Sequence, residues 1–229
     1  MAVIRWLRSS IAPGALLLVV VDGSAWAGEN FEKVAVYLEQ NFKDKDTEVK
    51  FEAIAGNIGL ATLKVTAPDG RTVIDFKAPD SKLGIRHLIL ESPEPKNLAT
   101  VKADFPTGAY RFTGLTESGS KLEAEALLSH DLPDETSFVY PRPDQKYVPV
   151  AALNIKWRPV KNSALSVITL EQERTGREIR ANLSGIATEF AVPNGFLQPG
   201  TDYTLAIGTV SKEGNKSFTE ITFRTAAKK

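Results

Sequence analysis

The chain of 229 residues contains no cysteine and only two histidines. Without cysteine there are no disulfides, no thiolate nucleophile and no cysteine-based zinc site. The histidines, His87 and His130, stand 43 positions apart in no metal-ligand spacing, so the residue types point to neither a zinc centre nor a His-based proton relay. A Gly-x-Ser-x-Gly elbow, a phosphate-binding loop and a dinucleotide glycine pattern are also missing. Charge of either sign is not in excess: 28 basic and 28 acidic residues balance, which gives no footprint for nucleic acid or an anionic membrane. No cofactor, metal or catalytic residue is expected, and the chain reads as a non-enzyme. Aromatic residues are only 8% of the total, too few to fill the core and also pave a broad sugar-binding platform.

What is present begins with an export signal. Arg5 and Arg8 precede an apolar run from Ile11 to Val21, followed by Ala25 and Ala27 at signal-peptidase spacing. The run is about eleven residues, against the roughly 20 that a membrane-spanning helix needs. Residues 1–27 are read as a cleaved signal peptide, with an uncleaved anchor as the alternative. The expected location is the periplasm or the extracellular space, with no stable membrane insertion after cleavage.

Residues 28–45 carry apolar positions at Phe31, Val34, Ala35, Leu38 and Phe42, a spacing that predicts an amphipathic helix. Asn30 would cap its start and Lys43 suit its end. It would pack on the adjoining domain or dock into a partner's groove. From Thr47 the period changes to two, with Val49, Phe51 and Ala53 on one face. Strands are predicted at Gly59–Thr66, Thr72–Lys77, Arg86–Glu91, Ala109–Leu115 and Lys121–Leu128, and a short helix or crossover at Leu98–Ala103. Turn signals such as Pro68-Asp-Gly70 and Pro106-Thr-Gly108 separate them. Short alternating strands joined by tight turns imply an antiparallel sandwich over 46–131.

Asp131-Leu-Pro-Asp-Glu-Thr136 reads as a junction. Beyond it, strands are predicted at Ser137–Tyr140, Ala152–Arg158, Leu165–Glu173, Glu178–Leu183, Glu189–Val192, Thr201–Ser211 and Ser217–Thr225. Leu153, Ile155 and Trp157 share one strand face. Leu197-Gln-Pro-Gly-Thr-Asp-Tyr203 places a phenol where it can bond back to the preceding corner. On these residues, 132–226 resembles a fibronectin type III domain, an immunoglobulin-like sandwich. Leu88-Ile-Leu-Glu-Ser-Pro93, Phe105-Pro-Thr-Gly-Ala-Tyr110 and Lys121-Leu-Glu-Ala124 extend the likeness to a group of exported bacterial proteins with two β-sandwich domains and no assigned function. The resemblance implies an all-β, two-domain architecture and no particular activity. The two halves show no sequence repeat.

The polar and aromatic residues Tyr140, Arg142, Lys146 and Tyr147 mark a candidate partner-binding loop, with a plain solvated connection as the alternative. Asp44, Asp46 and Glu48 alternate as calcium ligands can, but Lys43 and Lys45 interleave with them and no loop glycine follows. The reading is an exported protein whose sandwiches bind or space a protein partner at the bacterial cell envelope. The alternative partner is a glycan, held by Tyr140, Tyr147 or Phe196.

Overall fold

A computed structural model describes residues 30–228, apart from 79–81, 83, 96 and 173. The expected signal peptide lies outside the described residues. Among those residues, no helix is long and apolar enough to cross a membrane.

In the N-terminal half, β1 (Lys33–Asn41), β2 (Asp46–Ile54) and β5 (His87–Glu91) form one antiparallel layer. It faces a sheet of β4 (Thr72–Lys77), β3 (Leu60–Thr66), β6 (Gly108–Thr116) and β7 (Lys121–Leu128). Leu38, Val49, Leu60, Leu63, Val65, Tyr110 and Phe112 fill the space between them and are almost fully buried. The one helix among the described residues, α1 (Leu98–Asp104), bridges β5 and β6. Asn97 caps it, its side chain accepting from the Ala99 amide at 2.9 Å.

The amphipathic helix expected over 28–45 is corrected to strand β1. Nine residues pair with β2, from Lys33 opposite Ile54 to Asn41 opposite Asp46. Val36, between the positions chosen for helical spacing, shows why: Val34, Val36 and Leu38 also alternate, and β-branched valines favour the pleat. Both periods fit the sequence here. The ladder with β2 and a second partner decides between them.

In the C-terminal half, β8 (Phe138–Tyr140), β10 (Asn154–Trp157) and β13 (Glu189–Ala191) form the smaller layer. Opposite lie β12 (Arg177–Ser184), β11 (Leu165–Gln172), β14 (Asp202–Val210) and β15 (Lys216–Thr225). Trp157 is 3% exposed among Leu153, Ile155, Ile168 and Leu205, as expected for a residue between sheets. The Tyr203 hydroxyl accepts from the Gln198 amide at 2.8 Å, and its ring stacks on Phe223 with centroids 5.6 Å apart. One strand was missed in sequence: β9 (Gln145–Val148) pairs parallel with β15.

A comparable tyrosine corner, with the bond running the other way, occurs in the N-terminal half. Tyr110, near the start of β6, donates to the Pro106 carbonyl at 3.0 Å and packs edge-on against Phe51, which also meets Phe105 with ring centres 6.0 Å apart. Layer order is also shared, since β1-β2-β5 facing β4-β3-β6-β7 matches β8-β10-β13 facing β12-β11-β14-β15. Absence of a sequence repeat therefore conceals a repeated topology. Pro106-Thr-Gly-Ala-Tyr110, beside Pro199-Gly-Thr-Asp-Tyr203, is the signal that carried it.

The halves are joined by a shared sheet. β1 pairs in parallel with the start of β15, Glu39 opposite Lys216 and Asn41 opposite Phe218, giving the order β12-β11-β14-β15-β1-β2-β5 with β9 on the side. Asn215, 1% exposed, locks this seam. Its Oδ1 accepts from the Leu38 amide at 2.8 Å, while its Nδ2 donates to the Ser129 and Asp131 carbonyls, each at 3.0 Å. The Ser217 hydroxyl holds the Pro133 carbonyl at 2.7 Å, and Thr219 holds that of Thr136 at 3.1 Å. Lys43 pairs with Glu220 across the same seam. The segment joining the halves is thus bonded along its length to β15.

Asn215→Ala leaves the buried Leu38 amide and two carbonyls without partners. It should cost about 2–4 kcal/mol, measured by urea unfolding, and should speed hydrogen exchange at Leu38 more than at Leu205 in the C-terminal core.

Candidate functional site

The four loop residues do not form one patch. Tyr140 ends β8 and is half-buried against the C-terminal core, followed by a cis bond to Pro141. Arg142 and Lys146 are exposed. Their loop is held by the Arg142 amide, which donates to Gln145 Oε1 at 2.9 Å, and by Thr222, whose hydroxyl donates to Asp144 at 2.7 Å. Tyr147 is 80% exposed on β9, at a positive φ of 61°. Its position is a local irregularity of the β9–β15 ladder, where Gln145 pairs with Phe223 and Val148 with Thr225. An aromatic residue in this left-handed conformation is uncommon and costs roughly 1–2 kcal/mol. The loop therefore presents one ring and two cations on a pinned backbone.

Of the other rings considered for a sugar platform, Phe196 is half-buried, lying at 6.1 Å from Tyr203 and beneath the Arg177 guanidinium at 5.1 Å. Tyr147 alone of the three projects well into solvent, so these rings make no flat surface.

Sequence reasoning missed the outer face of the shared sheet. Every second residue of β1, β2, β5 and β15 points outward, which assembles side chains distant in sequence. Lys50 lies 3.0 Å from Glu91 and 3.2 Å from both Glu39 and Glu48. Glu39 also reaches Lys216 at 3.2 Å, and the Lys216 ammonium sits 4.3 Å from the centre of the Tyr37 ring. A chain of opposite charges thus crosses the seam from β5 to β15. Phe218, farther along β15, packs its ring against Gly208 of β14, where a Cβ would come within 2.4 Å of the ring.

Three carboxylates around one ammonium leave excess negative charge. Burial, only partly offset by Lys50, pushes the Glu48 carboxyl up to about 7. Its Oε2 has no hydrogen-bond partner. Burial would lower Lys50, but Glu39, Glu91 and Glu48 together hold it above the usual lysine range. Glu52 behaves oppositely to Glu48: despite burial, Lys33 at 2.6 Å and His87 at 2.9 Å hold it below the usual carboxylate range. The two histidines take structural partners, His87 this glutamate and His130 the Phe105 carbonyl at 2.7 Å.

An open groove of about 450 Å³ follows the seam, with Phe42, Leu98, Lys102 and His130 in its wall. It brings no nucleophile against a base. Among the described residues no group of three or more His, Asp or Glu is arranged to hold a metal ion. Asp44, Asp46 and Glu48 follow β1–β2 hairpin geometry: Asn41 Oδ1 accepts from the Lys43 amide at 2.9 Å, and Glu48 turns toward Lys50.

The class of fold follows from these features. The chain is all-β, and its C-terminal half has the layer order, inter-sheet tryptophan and tyrosine corner of a fibronectin type III sandwich. No protein-family profile and no curated protein matches the chain. Among solved structures it is similar to the fibronectin(III)-like modules of CbhA from Clostridium thermocellum, at 9% identity over 87% of this chain and 93% of that one, TM-score 0.37. A two-domain fibronectin type III segment of chicken tenascin aligns at 14% identity over 86% and 100%, TM-score 0.33. The FN1–FN3 domains of chicken CNTN1 align at 13% over 87% and 69%, TM-score 0.38. At such overlap the fold is established by this chain's own strand order and corners.

Folded Glu48 keeps its proton to about pH 7, whereas unfolded it releases it near 4.5. The folded state binds more protons in between, so this group's contribution to stability falls as pH rises through that window. Glu48→Gln should raise the melting temperature at pH 8 by about 2–4 °C, as expected of roughly 1 kcal/mol at this size, and change little at pH 4. Tyr147→Gly relieves the left-handed strain against a comparable entropy loss, so urea unfolding should find stability unchanged or raised by up to about 1 kcal/mol.

Proposed function

We infer that the chain is an exported, non-enzymatic protein of the bacterial cell envelope, built from two sandwich modules, 46–131 with the preceding strand and 132–226, that hold or space a protein partner. The observation that carries this reading is the welded seam. A single hydrogen-bonded sheet running through both modules, with Asn215 and Ser217 tying the linker carbonyls to β15, leaves no hinge at the junction. Modules linked flexibly act as independent binding units; modules sharing a sheet keep a fixed distance and orientation between their ends. Such a strut presents loops at defined places, and its polar side chains serve the frame.

Export rests on residues 1–27, read from sequence. The docking loop is Tyr140–Tyr147, whose Tyr147 carries backbone strain at an exposed position, a pattern that favours a recognition role over a packing one. The basic Arg142 and Lys146 suit an acidic partner surface. A protein partner is favoured over a glycan because one exposed ring cannot supply the stacked platform a sugar needs.

The test is crosslinking in whole cells followed by isolation of the tagged chain. A defined partner should be recovered from the envelope fraction, and a Tyr147→Gly, Arg142→Ala, Lys146→Ala variant, folded as judged by its melting curve, should recover about tenfold less. Equal recovery by the variant would remove the loop from the reading. Absence of the chain from the envelope and surrounding medium would remove its location.

A further inference from the structure

The edges of the three sheets are managed unequally. β8 and β13 are three residues long, β5 is five and runs into Pro93 and Pro95, β4 pairs through a register irregularity at Val65/Thr66, and β7 runs beside β1. Shortness, proline, bulges and cover are the usual protections against pairing with another chain. β12 has none of them. Its eight residues pair without interruption to β11, from Gln172 opposite Arg177 to Leu165 opposite Ser184. No proline, lysine or glycine interrupts Arg177–Ser184, and its other side ends the eight-stranded sheet.

The order of residues on β12 suits one occupant. Opposite Thr169, Arg180 lies on the outer face of the sheet with Glu178, while Ile179, Ala181 and Leu183 turn inward against the C-terminal core. Among the described residues no ion pair engages Glu178 or Arg180. In an antiparallel pair, residues directly opposite share a face, so a strand meeting its own copy must pair positions of the same parity. Centring on Arg180 sets that cation against itself. Centring on Ala181 sets Glu178 against Ser184 and Arg180 against Asn182. Centring on Ile179 sets each Glu178 against the other strand's Arg180, twice, and brings the two half-buried Ile179 side chains together on the core side. That register alone satisfies both charges directly.

We propose that β12 is a self-association edge, and that a second copy of this chain pairs with it antiparallel about Ile179, extending the eight-stranded sheets of two molecules into one. The pairing spans 177–181 of each strand. An interface this small is below the standard size for tight complexes, so the dimer is weak and forms at high local concentration. The inference is independent of the loop partner, because β12 lies at the sheet edge opposite the seam and Tyr140–Tyr147 contributes nothing to it.

Sedimentation of the purified chain from about 10 µM to about 1 mM tests it. A monomer–dimer equilibrium is expected within that range. Glu178→Arg or Arg180→Glu should each weaken it about tenfold, and the double exchange should restore it to within about threefold, since it re-creates both pairs in reversed order. Because the chain has no cysteine, Ile179→Cys supplies a second reading that does not depend on charge. Mild oxidation should give a disulfide-linked dimer through position 179, whose copies face each other, and none through Leu183→Cys, whose copies are far apart in this register. A chain that stays monomeric to about 1 mM, a dimer indifferent to both charge reversals, or crosslinking at 183 in preference to 179 would overturn the proposal.

Discussion

The parallel pairing of β1 with the start of β15, sealed by the Asn215 side chain, is the constraint on which the rest of the molecule depends. It converts two separate hydrophobic cores into one object. Remove it and the outer face of the sheet divides at the seam, Lys216 parts from Glu39, and the linker carbonyls of Ser129, Asp131 and Pro133 lose their donors. An asparagine suits this position because it offers an acceptor to one half and donors to the other from a single buried amide. The seam lies where β15 has an open side. Its other end is covered by β9, so that side of the final strand is paired at one end with the preceding sandwich and at the other with its own.

That arrangement has an electrostatic consequence. Alternation along a strand sends charged residues outward, and a lone sandwich would leave them in water. Joining the sheets places Glu39 between Lys50 and Lys216, and Glu48, buried beside Lys50, Glu39 and Glu91 within the N-terminal half, is a carboxyl on an outer face with its pKa raised. The outer face is structural mortar between strands. Away from that face, Tyr147 and β12 stand out because each keeps a feature that stability alone would have removed.

Much of the frame was legible in the chain. The strands from Thr72–Lys77 to Lys121–Leu128 and from Leu165 onward lie close to their predicted bounds, because short alternating runs cut by Pro and Gly admit one reading. Trp157 and Tyr203 were recognisable because the corner they build is local, with the tyrosine bonding five residues back. The corner at Tyr110 was not read from sequence although its phenol bonds only four residues back, since β2 carries no tryptophan and Phe51 packs against the tyrosine ring there. Residues 33–41 were misread because apolar spacing there fits both a helix and a strand. Of the loop residues, Arg142, Lys146 and Tyr147 are exposed and Tyr140 is not, a distinction that depends on which side of β8 meets the core.

The sequence by itself determined what local chemistry can encode: all-β composition through alternation and turn residues, a fibronectin-like corner in the C-terminal half, and no disulfide, since cysteine is absent. Only the tertiary structure decided whether β1 would be helix or strand, which carboxyls would crowd one lysine, and whether two sandwiches would remain separate. The physical reason is distance along the chain. Leu38 finds its partner 177 residues away, and no window of neighbouring residues carries information about which backbone will arrive beside it.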